Sequence, residues 1–158
     1  MTQTITDLHV YLRSIREGER TSLSVLAGLT PAGATVLDLG CGSGALGQHL
    51  RETRQCTVDG LTWSELEAAH ARPHYRRVVV ANLETCNLPE TFEHNTYDII
   101  VCADVLEHLS APERVLEMCA VEVDGSAEAP LDHAYWTERI AAAASEGVET
   151  PIVSARSA

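Results

Sequence analysis

Apolar residues occur along the chain in blocks whose spacing alternates between the period of a helix and that of a strand. Helical spacing predicts a first helix over residues 6–27, with Gly18 as a point at which it can divide in two. Later blocks predict strands over residues 35–39, 56–61, 77–81 and 97–103, and helices over residues 45–53, 64–71 and about 110–120. Strands that alternate with helices predict an α/β domain with a doubly wound, mostly parallel sheet.

Two of the predicted helices begin with the pattern of a capping box, a Ser followed by a Glu three residues later. The pairs are Ser64 with Glu67 and Ser110 with Glu113. Beyond this role, we interpret the acidic residues of these two helices as solvated helix faces: Glu65, Glu67, Glu113 and Glu117.

A glycine-rich loop follows the first predicted strand and reads Gly40-Cys41-Gly42-Ser43-Gly44. A strand that passes through glycines into a helix lets the backbone approach a ligand closely, and the helix N-terminus favours negative charge there. In a parallel sheet the ligand lies beyond the carboxyl ends of the strands. We therefore expect this loop to meet the residues that follow the other strands, namely Thr62, Asn82 and Asp104.

Gly42, Gly44 and Gly47 also fit the G-x-G-x-x-G pattern of dinucleotide-binding proteins. Two acidic residues argue against that interpretation. Asp38 stands just before the loop, where its charge would oppose a pyrophosphate but could hold a cation or an amine. The dinucleotide pattern also requires an acid at the end of the second strand, and Asp59 lies slightly too early for this role.

Two longer blocks carry a resemblance to a known family. "VLDLGCGSG" (residues 36–44) resembles motif I of the class I S-adenosylmethionine-dependent methyltransferases. "YDIIVCADVLEHLSAPERVL" (residues 97–116) resembles the fourth-strand block of the same family, at the expected order and separation. The resemblance covers roughly residues 30–120. It implies a Rossmann-like fold, S-adenosylmethionine as cofactor and methyl transfer to a small-molecule acceptor.

The resemblance also implies cofactor-binding roles. Gly40, Gly42 and Gly44 would pack against the methionine part and the ribose, and Asp38 would orient the loop or accept a hydrogen bond from the amino group. Where relatives carry a ribose-binding acid, this chain has Thr62 or Trp63, which loses a charge-assisted bond. Asn82 replaces an acid near the adenine. The other implied cofactor contacts are Cys41, Ser43, Leu83, Cys102 and Ala103.

Two residues after the fourth strand are candidates for catalysis. His108 is the candidate general base, because histidine titrates near neutral pH, but it can equally order its loop. Asp104 is expected to touch the cofactor or the acceptor, with loop capping as the alternative. We predict no metal site: His70 and His74 are four residues apart, but Pro73 between them would end the helix needed to align them.

The chain departs from the family after Glu117, where a Pro-Gly-Gly turn and a fifth strand are normally found. Residues 131–138 loosely resemble a later segment, which predicts a helix over residues 138–145, a turn at Gly147 and a strand over residues 150–155. We interpret the fifth-strand region as shortened, or the tail as unrelated sequence from an altered reading frame. The fourth strand would then lack cover, which predicts marginal stability or a homodimer.

Length, net charge and cysteine content indicate which domain organisation, partners and compartment to expect. The 158 residues suit a single domain, with a core at residues 30–120, an N-terminal helical segment at 1–29 and an atypical part at 121–158. A net charge of -12 disfavours nucleic acids and anionic membranes as partners. The five cysteines form no CxxC pair, and the first ten residues lack the apolar core of a signal peptide, so we expect a cytoplasmic protein.

The sequence thus favours transfer of a methyl group from S-adenosylmethionine to a small molecule. A non-catalytic protein that binds the same cofactor and acts through a partner is the first alternative, because Thr62 and Asn82 replace acids and the tail is short. An NAD-binding oxidoreductase is the second alternative.

Overall fold

The computed structural model describes residues 15, 18, 21–93, 97–124 and 152–155, the residues from 120 onward through their backbone alone. The helices are α1 (Ser22–Leu29), α2 (Ala45–Arg54), α3 (Glu65–Ala71), α4 (Leu88–Thr91) and α5 (Pro112–Asp124), with a short 3-10 helix at Leu106–His108. The strands are β1 (Thr35–Leu39), β2 (Thr57–Thr62), β3 (Arg77–Val80), β4 (Ile99–Cys102) and β5 (Ile152–Ala155).

The five strands form one sheet in the order β3-β2-β1-β4-β5. The pairings of β1 with β2, β1 with β4 and β2 with β3 are parallel, and β5 pairs with β4 in the antiparallel sense. In this register Asp38 lies between Gly60 and Val101. The predicted fold class is therefore confirmed, and the carboxyl ends of the four parallel strands meet at one edge of the sheet.

Apolar side chains cover both faces of the sheet. On one face Leu26 of α1 and Leu50 of α2 pack over Val36 and Val101, all at most 1% exposed. On the other face Phe92 and Val115 pack over Leu37 and its neighbours. Because β1 and β4 are covered on both sides, their sequences are nearly continuous apolar runs rather than alternating ones.

The first predicted helix is wrong in its extent. Ile15 is not helical, Gly18 lies in a turn at φ +86°, and α1 starts only after Thr21, whose hydroxyl accepts the Ser24 N–H. The helix ends at Leu29 instead of residue 27. Residues 6–14, 16, 17, 19 and 20 of the prediction lie outside the described residues, so the division at Gly18 stays a prediction.

Neither predicted capping box forms completely. Ser64 does accept the Glu67 N–H at 3.3 Å, but the Glu67 carboxylate accepts from Thr62, and the Ser64 N–H points to the Thr62 hydroxyl instead. At the second site α5 begins at Pro112, and the Ser110 N–H donates to a different acid, Glu84, at 2.6 Å. At the first site Thr62, at the end of the preceding strand, takes part of the pattern, and at the second site an acid 26 residues away replaces the local partner.

The edge of β4 is covered. β5 falls inside the predicted strand over residues 150–155 and pairs along β4 from Ile99 to Cys102, all of which are buried. The expected lack of cover at this strand is therefore wrong for the residues that the structure describes. The predicted helix over residues 138–145 and the turn at Gly147 lie outside them. In the described part of the chain, no helix combines the length and apolar character needed to span a bilayer.

Candidate functional site

A cavity of about 700 Å³ opens at the carboxyl ends of β1, β2, β3 and β4. The loop after each of these strands contributes to its wall. Almost all of the site residues predicted from the sequence line it: Asp38, Gly40, Cys41, Gly42, Ser43, Thr62, Trp63, Asn82, Leu83, Ala103, Asp104 and His108. Gly44 and Cys102 do not.

The glycines of the loop have different roles. Gly42 adopts φ +51°, and a Cβ atom there would meet only the Glu67 carboxylate, at 4.0 Å, so the backbone is open to a close ligand. Gly44 instead faces the protein interior, where a Cβ atom would lie 2.8 Å from the Ala71 Cα and 3.0 Å from the Tyr75 ring. The absence of a side chain at Gly44 therefore allows close packing of α2 against α3, and its expected contact with the cofactor stays a prediction.

Cys102 is the second predicted site residue outside the cavity wall. It is the last residue of β4 and is 3% exposed, within the core on the side of α5. A hydrogen bond with Cys119 of α5, followed by burial, raises its pKa well above the usual thiol value. Its side chain therefore packs in the core beneath the cavity wall.

Asp38 is the buried carboxylate of the cavity and is 3% exposed. The Tyr75 hydroxyl donates to its Oδ2 at 2.6 Å and accepts the Gly47 N–H at 3.0 Å. Burial raises the pKa of Asp38 from 3.8 to about 6, although the bond from Tyr75 lowers it. Tyr75 was missed by sequence reasoning, because nothing in the local sequence links it to a residue on a strand so far upstream.

Thr62 and Glu67 form a pair at the end of β2. Thr62 is 2% exposed, and its hydroxyl donates to Glu67 Oε2 at 2.9 Å. Glu67 is half-buried and lines the cavity, so its interpretation as a solvated helix face is wrong. The acid that is missing at the end of β2 thus has a counterpart in Glu67, the third residue of α3. Sequence analysis missed this role because Glu67 also fits the pattern of a capping box.

Asp59, the acid considered for a dinucleotide site, lies outside the cavity wall. It is 1% exposed and binds the Arg76 guanidinium at 2.9 Å and 2.5 Å and the Tyr97 hydroxyl at 2.8 Å. Both of its oxygens already accept hydrogen bonds within the protein, and neither faces the cavity where a ribose would lie. The geometry therefore disfavours the oxidoreductase alternative.

Two lining residues lie at the rim. Trp63 is 82% exposed, so its indole covers no part of the core. Asn82 is exposed, and its Oδ1 atom accepts the Glu84 N–H at 2.9 Å, which closes a local turn. The acceptor oxygen expected for a ligand therefore already holds one hydrogen bond, and its second lone pair and the amide N–H groups are what Asn82 can offer.

The loop after β4 carries both candidate catalytic residues. Asp104 has φ +52° and accepts from the Ser22 hydroxyl at 3.4 Å, which ties this loop to α1. His108 ends the 3-10 helix, with a side chain that is 75% exposed and an Nε2 atom 4.0 Å from Glu107. Both groups are more exposed than Asp38: Asp104 is half-buried and His108 is exposed.

The charge of the wall is negative. Its carboxylates are Asp38, Glu67, Glu84 and Asp104, and no Lys or Arg is among its described lining residues. In the same part of the chain, no group of three His, Cys, Asp or Glu side chains is placed to hold a metal ion. The arrangement suits a ligand that carries positive charge, held close to glycine backbone.

Comparison with known proteins agrees with this geometry. A family model described as "Methyltransferase domain" matches residues 37–122. The chain is 33% identical over 92 residues to the ubiquinone biosynthesis O-methyltransferase of Acinetobacter baylyi, which covers 56% of this chain and 38% of that enzyme. It is 31% identical over 99 residues to the enzyme of the same name from Neisseria meningitidis serogroup C, covering 59% and 42%. The chain spans about two fifths of the length of these curated relatives.

Solved structures of similar fold include coclaurine N-methyltransferase bound to N-methylheliamine and SAH, with a TM-score of 0.54 and 24% identity, covering 70% of this chain and 36% of that one. A mycolic acid cyclopropane synthase complexed with SAH and CTAB aligns with a TM-score of 0.53 and 24% identity, covering 64% and 37%. At these identities the likeness shows the fold.

Proposed function

The chain belongs to the methyltransferase domain family, and on that premise we propose that it transfers a methyl group from S-adenosylmethionine to a small-molecule acceptor. The observation that carries the proposal is the cavity at the carboxyl ends of the parallel strands, where a buried carboxylate, an open glycine backbone and a Thr–Glu pair face the same space. Its volume of about 700 Å³ lies within the usual range for small-molecule sites.

The wall next to β1 fits the amino-acid part of the cofactor. Asp38 offers a carboxylate to the ammonium group, and Gly42 allows the chain to come close. Ala45 and Leu46 of the first turn of α2 also line the cavity, so the positive end of the helix dipole favours the carboxylate of the ligand. Gly40, Cys41 and Ser43 complete this wall.

The wall next to β2 and β3 fits the adenosine part. We assign the ribose hydroxyls to Glu67, held in place by Thr62, which restores the charge that Thr62 alone would lack. We assign the adenine edge to Asn82 and Leu83, which line the cavity, and stacking on the base to the exposed indole of Trp63. Ala103 closes the floor.

The chemistry needs few groups from the protein. The sulfonium of the cofactor supplies an activated methyl group, so the protein chiefly aligns the acceptor and excludes water. An acceptor that must lose a proton also needs a base, and His108 on the rim is our candidate. Asp104 would orient the acceptor from the same loop.

The negative charge also guides our proposals about partners. A net charge of -12 disfavours nucleic acid and anionic membranes, and we propose a cytoplasmic protein that acts on small molecules. A homodimer remains a prediction that gel filtration can check, with a well-behaved monomer counting against it.

Calorimetric titration with S-adenosylmethionine, S-adenosylhomocysteine and NAD tests the cofactor assignment. Micromolar binding of the first two without binding of NAD is the expected result, and a folded chain that binds neither would overturn it. Turnover of a methyl acceptor then separates an enzyme from a protein that only binds the cofactor.

A further inference from the structure

Tyr75 lies behind the cavity wall, in the connection between α3 and β3, and is 6% exposed. Its ring occupies a slot left open by glycines of different elements. A Cβ atom on Gly47 of α2 would lie 2.2 Å from the Tyr75 Cζ, and one on Gly60 of β2 would lie 2.8 Å from its Cδ1. The glycines therefore admit an aromatic ring from a distant part of the chain, and this ring fixes where the hydroxyl lies.

The Tyr75 hydroxyl joins two elements of the site. Gly44 is the N-cap of α2 and has no side chain with which to cap it, so the first N–H groups of the helix need other partners. The hydroxyl oxygen accepts one of them, from Gly47 at 3.0 Å, while the hydroxyl proton is donated to Asp38 at 2.6 Å. The carboxylate is thereby connected to the N-terminal end of α2.

The surroundings of Asp38 otherwise disfavour its charge. Burial raises its pKa to about 6, and the bond from Tyr75 acts in the opposite direction. Among the described residues, the titratable groups that face it from other elements are the thiols of Cys41 and Cys102. Burial and the Asp38 charge raise the pKa of Cys41, and a hydrogen bond with Cys119, then burial and the Asp38 charge, raise the pKa of Cys102, so both stay neutral. Tyr75 therefore stabilises the charged form of Asp38 by donating a hydrogen bond to it.

We propose that Tyr75 is a positioning residue that keeps Asp38 ionised and fixed in direction, so that the carboxylate can receive an ammonium group of the ligand in the cavity. The proposal rests on the function proposed above, because it takes the amino-acid part of the cofactor as the group beside Asp38. It adds a residue that touches neither cofactor nor acceptor.

Two ligands isolate this contact. S-adenosylhomocysteine carries the ammonium group, whereas 5′-methylthioadenosine keeps the adenosine and the thioether but lacks the amino-acid part. We would measure the Kd of both for the full chain and for Tyr75→Phe by calorimetry, between pH 5 and pH 8. The readout is the ratio of the two Kd values, which cancels a general change in the pocket.

The chain offers a matched control in Tyr97→Phe. Tyr97 is also buried and also donates to a buried carboxylate, Asp59, at 2.8 Å, but neither residue lines the cavity. Both variants therefore lose one hydroxyl bonded to a buried carboxylate. At pH 7 we expect the preference for S-adenosylhomocysteine to fall about tenfold in Tyr75→Phe and to stay unchanged in Tyr97→Phe.

The pH profile adds a readout that a merely structural role would not move. In the wild-type chain the preference should fall as the pH decreases through about 6, and in Tyr75→Phe the midpoint should move to higher pH. An unchanged ratio and midpoint in Tyr75→Phe, with normal wild-type binding, would overturn the inference alone. Absence of S-adenosylhomocysteine binding by the folded wild-type chain would overturn the proposed function as well.

If Tyr75→Phe does not fold, Asp38→Asn serves as the second variant. The amide oxygen can still accept the Tyr75 hydroxyl, so the network survives without its charge. The preference for S-adenosylhomocysteine should fall at pH 7 and lose its dependence on pH, and an unchanged ratio would overturn the inference.

Discussion

Asp38 and Asp59 stand on neighbouring strands, β1 and β2, and both are almost completely buried. Asp59 is bonded to the Arg76 guanidinium and to a tyrosine hydroxyl, away from the cavity. Asp38 is bonded to the neutral hydroxyl of Tyr75 and lines the cavity. A buried carboxylate with a guanidinium partner is balanced within the protein, whereas one held by a neutral donor can still gain from a cationic ligand.

The comparison explains why two aspartates of equal burial have different uses. The bond to Asp59 raises the pKa of Arg76, so the guanidinium keeps its positive charge beside this carboxylate. At Asp38 burial instead raises the pKa of the carboxyl to about 6. Because burial makes the charged form of Asp38 unfavourable, this form can still gain from a cationic ligand, and Asp38 is therefore a candidate binding group.

The largest effect on stability is expected where the Tyr75 ring meets α2. Gly47→Ala would place a methyl group 2.2 Å from the Tyr75 Cζ, and this overpacking should lower the free energy of unfolding by about 3 kcal/mol or more. Urea denaturation measures it. Gly28→Ala is the helical control, because a Cβ there meets nothing within 4 Å and should change stability by less than about 1 kcal/mol. Equal effects of the two substitutions would contradict the packing of Tyr75.

Asp38→Asn should change how stability depends on pH. The folded chain holds a proton on Asp38 up to about pH 6, whereas the unfolded chain releases it near 3.8, so wild-type stability decreases as the pH rises through this window. The substitution removes this term, which is worth roughly 3 kcal/mol. Urea denaturation of both proteins from pH 3.5 to pH 7.5 measures the difference. If that difference stayed constant with pH, the raised pKa would be wrong.

Asp59→Asn tests the carboxylate whose charge is balanced by the Arg76 guanidinium. It leaves a guanidinium without its charged partner, and because Arg76 is about half exposed we expect a loss of about 2 kcal/mol, smaller than for a fully buried pair. Binding of S-adenosylhomocysteine should stay unchanged. Loss of binding without loss of stability would reverse the roles assigned to the two aspartates.

Glu67→Gln should weaken binding with little effect on folding. The amide can still accept from Thr62, but the charge offered to the ribose is lost, so we expect the Kd for S-adenosylhomocysteine to rise about tenfold. Glu65→Gln on the same helix is the control, because Glu65 pairs with Arg72 outside the cavity. Calorimetry that gave equal Kd values for the two variants would refute the assignment of Glu67.

The smallest effect on stability is expected at the rim. His108→Ala removes a side chain that is 75% exposed, so the free energy of unfolding should change by less than about 0.5 kcal/mol. If His108 is the general base, the rate of methyl transfer should nevertheless fall about a hundredfold or more. His70→Ala, exposed and outside the wall, should leave the rate unchanged. An equal rate in both variants would remove His108 from the mechanism.

Local patterns in the sequence predicted much of the fold. The strand over residues 35–39 was predicted with its observed bounds, because a short apolar block followed by glycines permits few other structures. The bounds of the other strands agree with the prediction to within two residues at either end, where apolar character fades gradually. The cover of β4 was harder to predict, because it depends on the pairing of β5 with a strand from a distant part of the chain.

Most of the cavity wall could also be placed from the sequence, because parallel strands bring the residues after their carboxyl ends together. The direction of individual residues was harder to predict from the sequence. Gly44 belongs to the loop, yet a Cβ atom on it would meet Tyr75, and Cys102 ends β4, yet it packs in the core on the side of α5. Glu67 satisfied a local capping pattern, but its carboxylate takes a bond from Thr62.

The sequence by itself determined the order of the strands and of the longer helices, the position of the glycine loop and the family, since each depends on residues close together along the chain. The two short helices, at Leu88–Thr91 and Leu106–His108, were not predicted. Tertiary structure alone decided that Tyr75 bonds to Asp38 and that Arg76 neutralises Asp59. These pairs join residues from different elements, and which buried charge finds a partner depends on how the elements pack. That packing separates an aspartate that supports the fold from one that can serve a ligand.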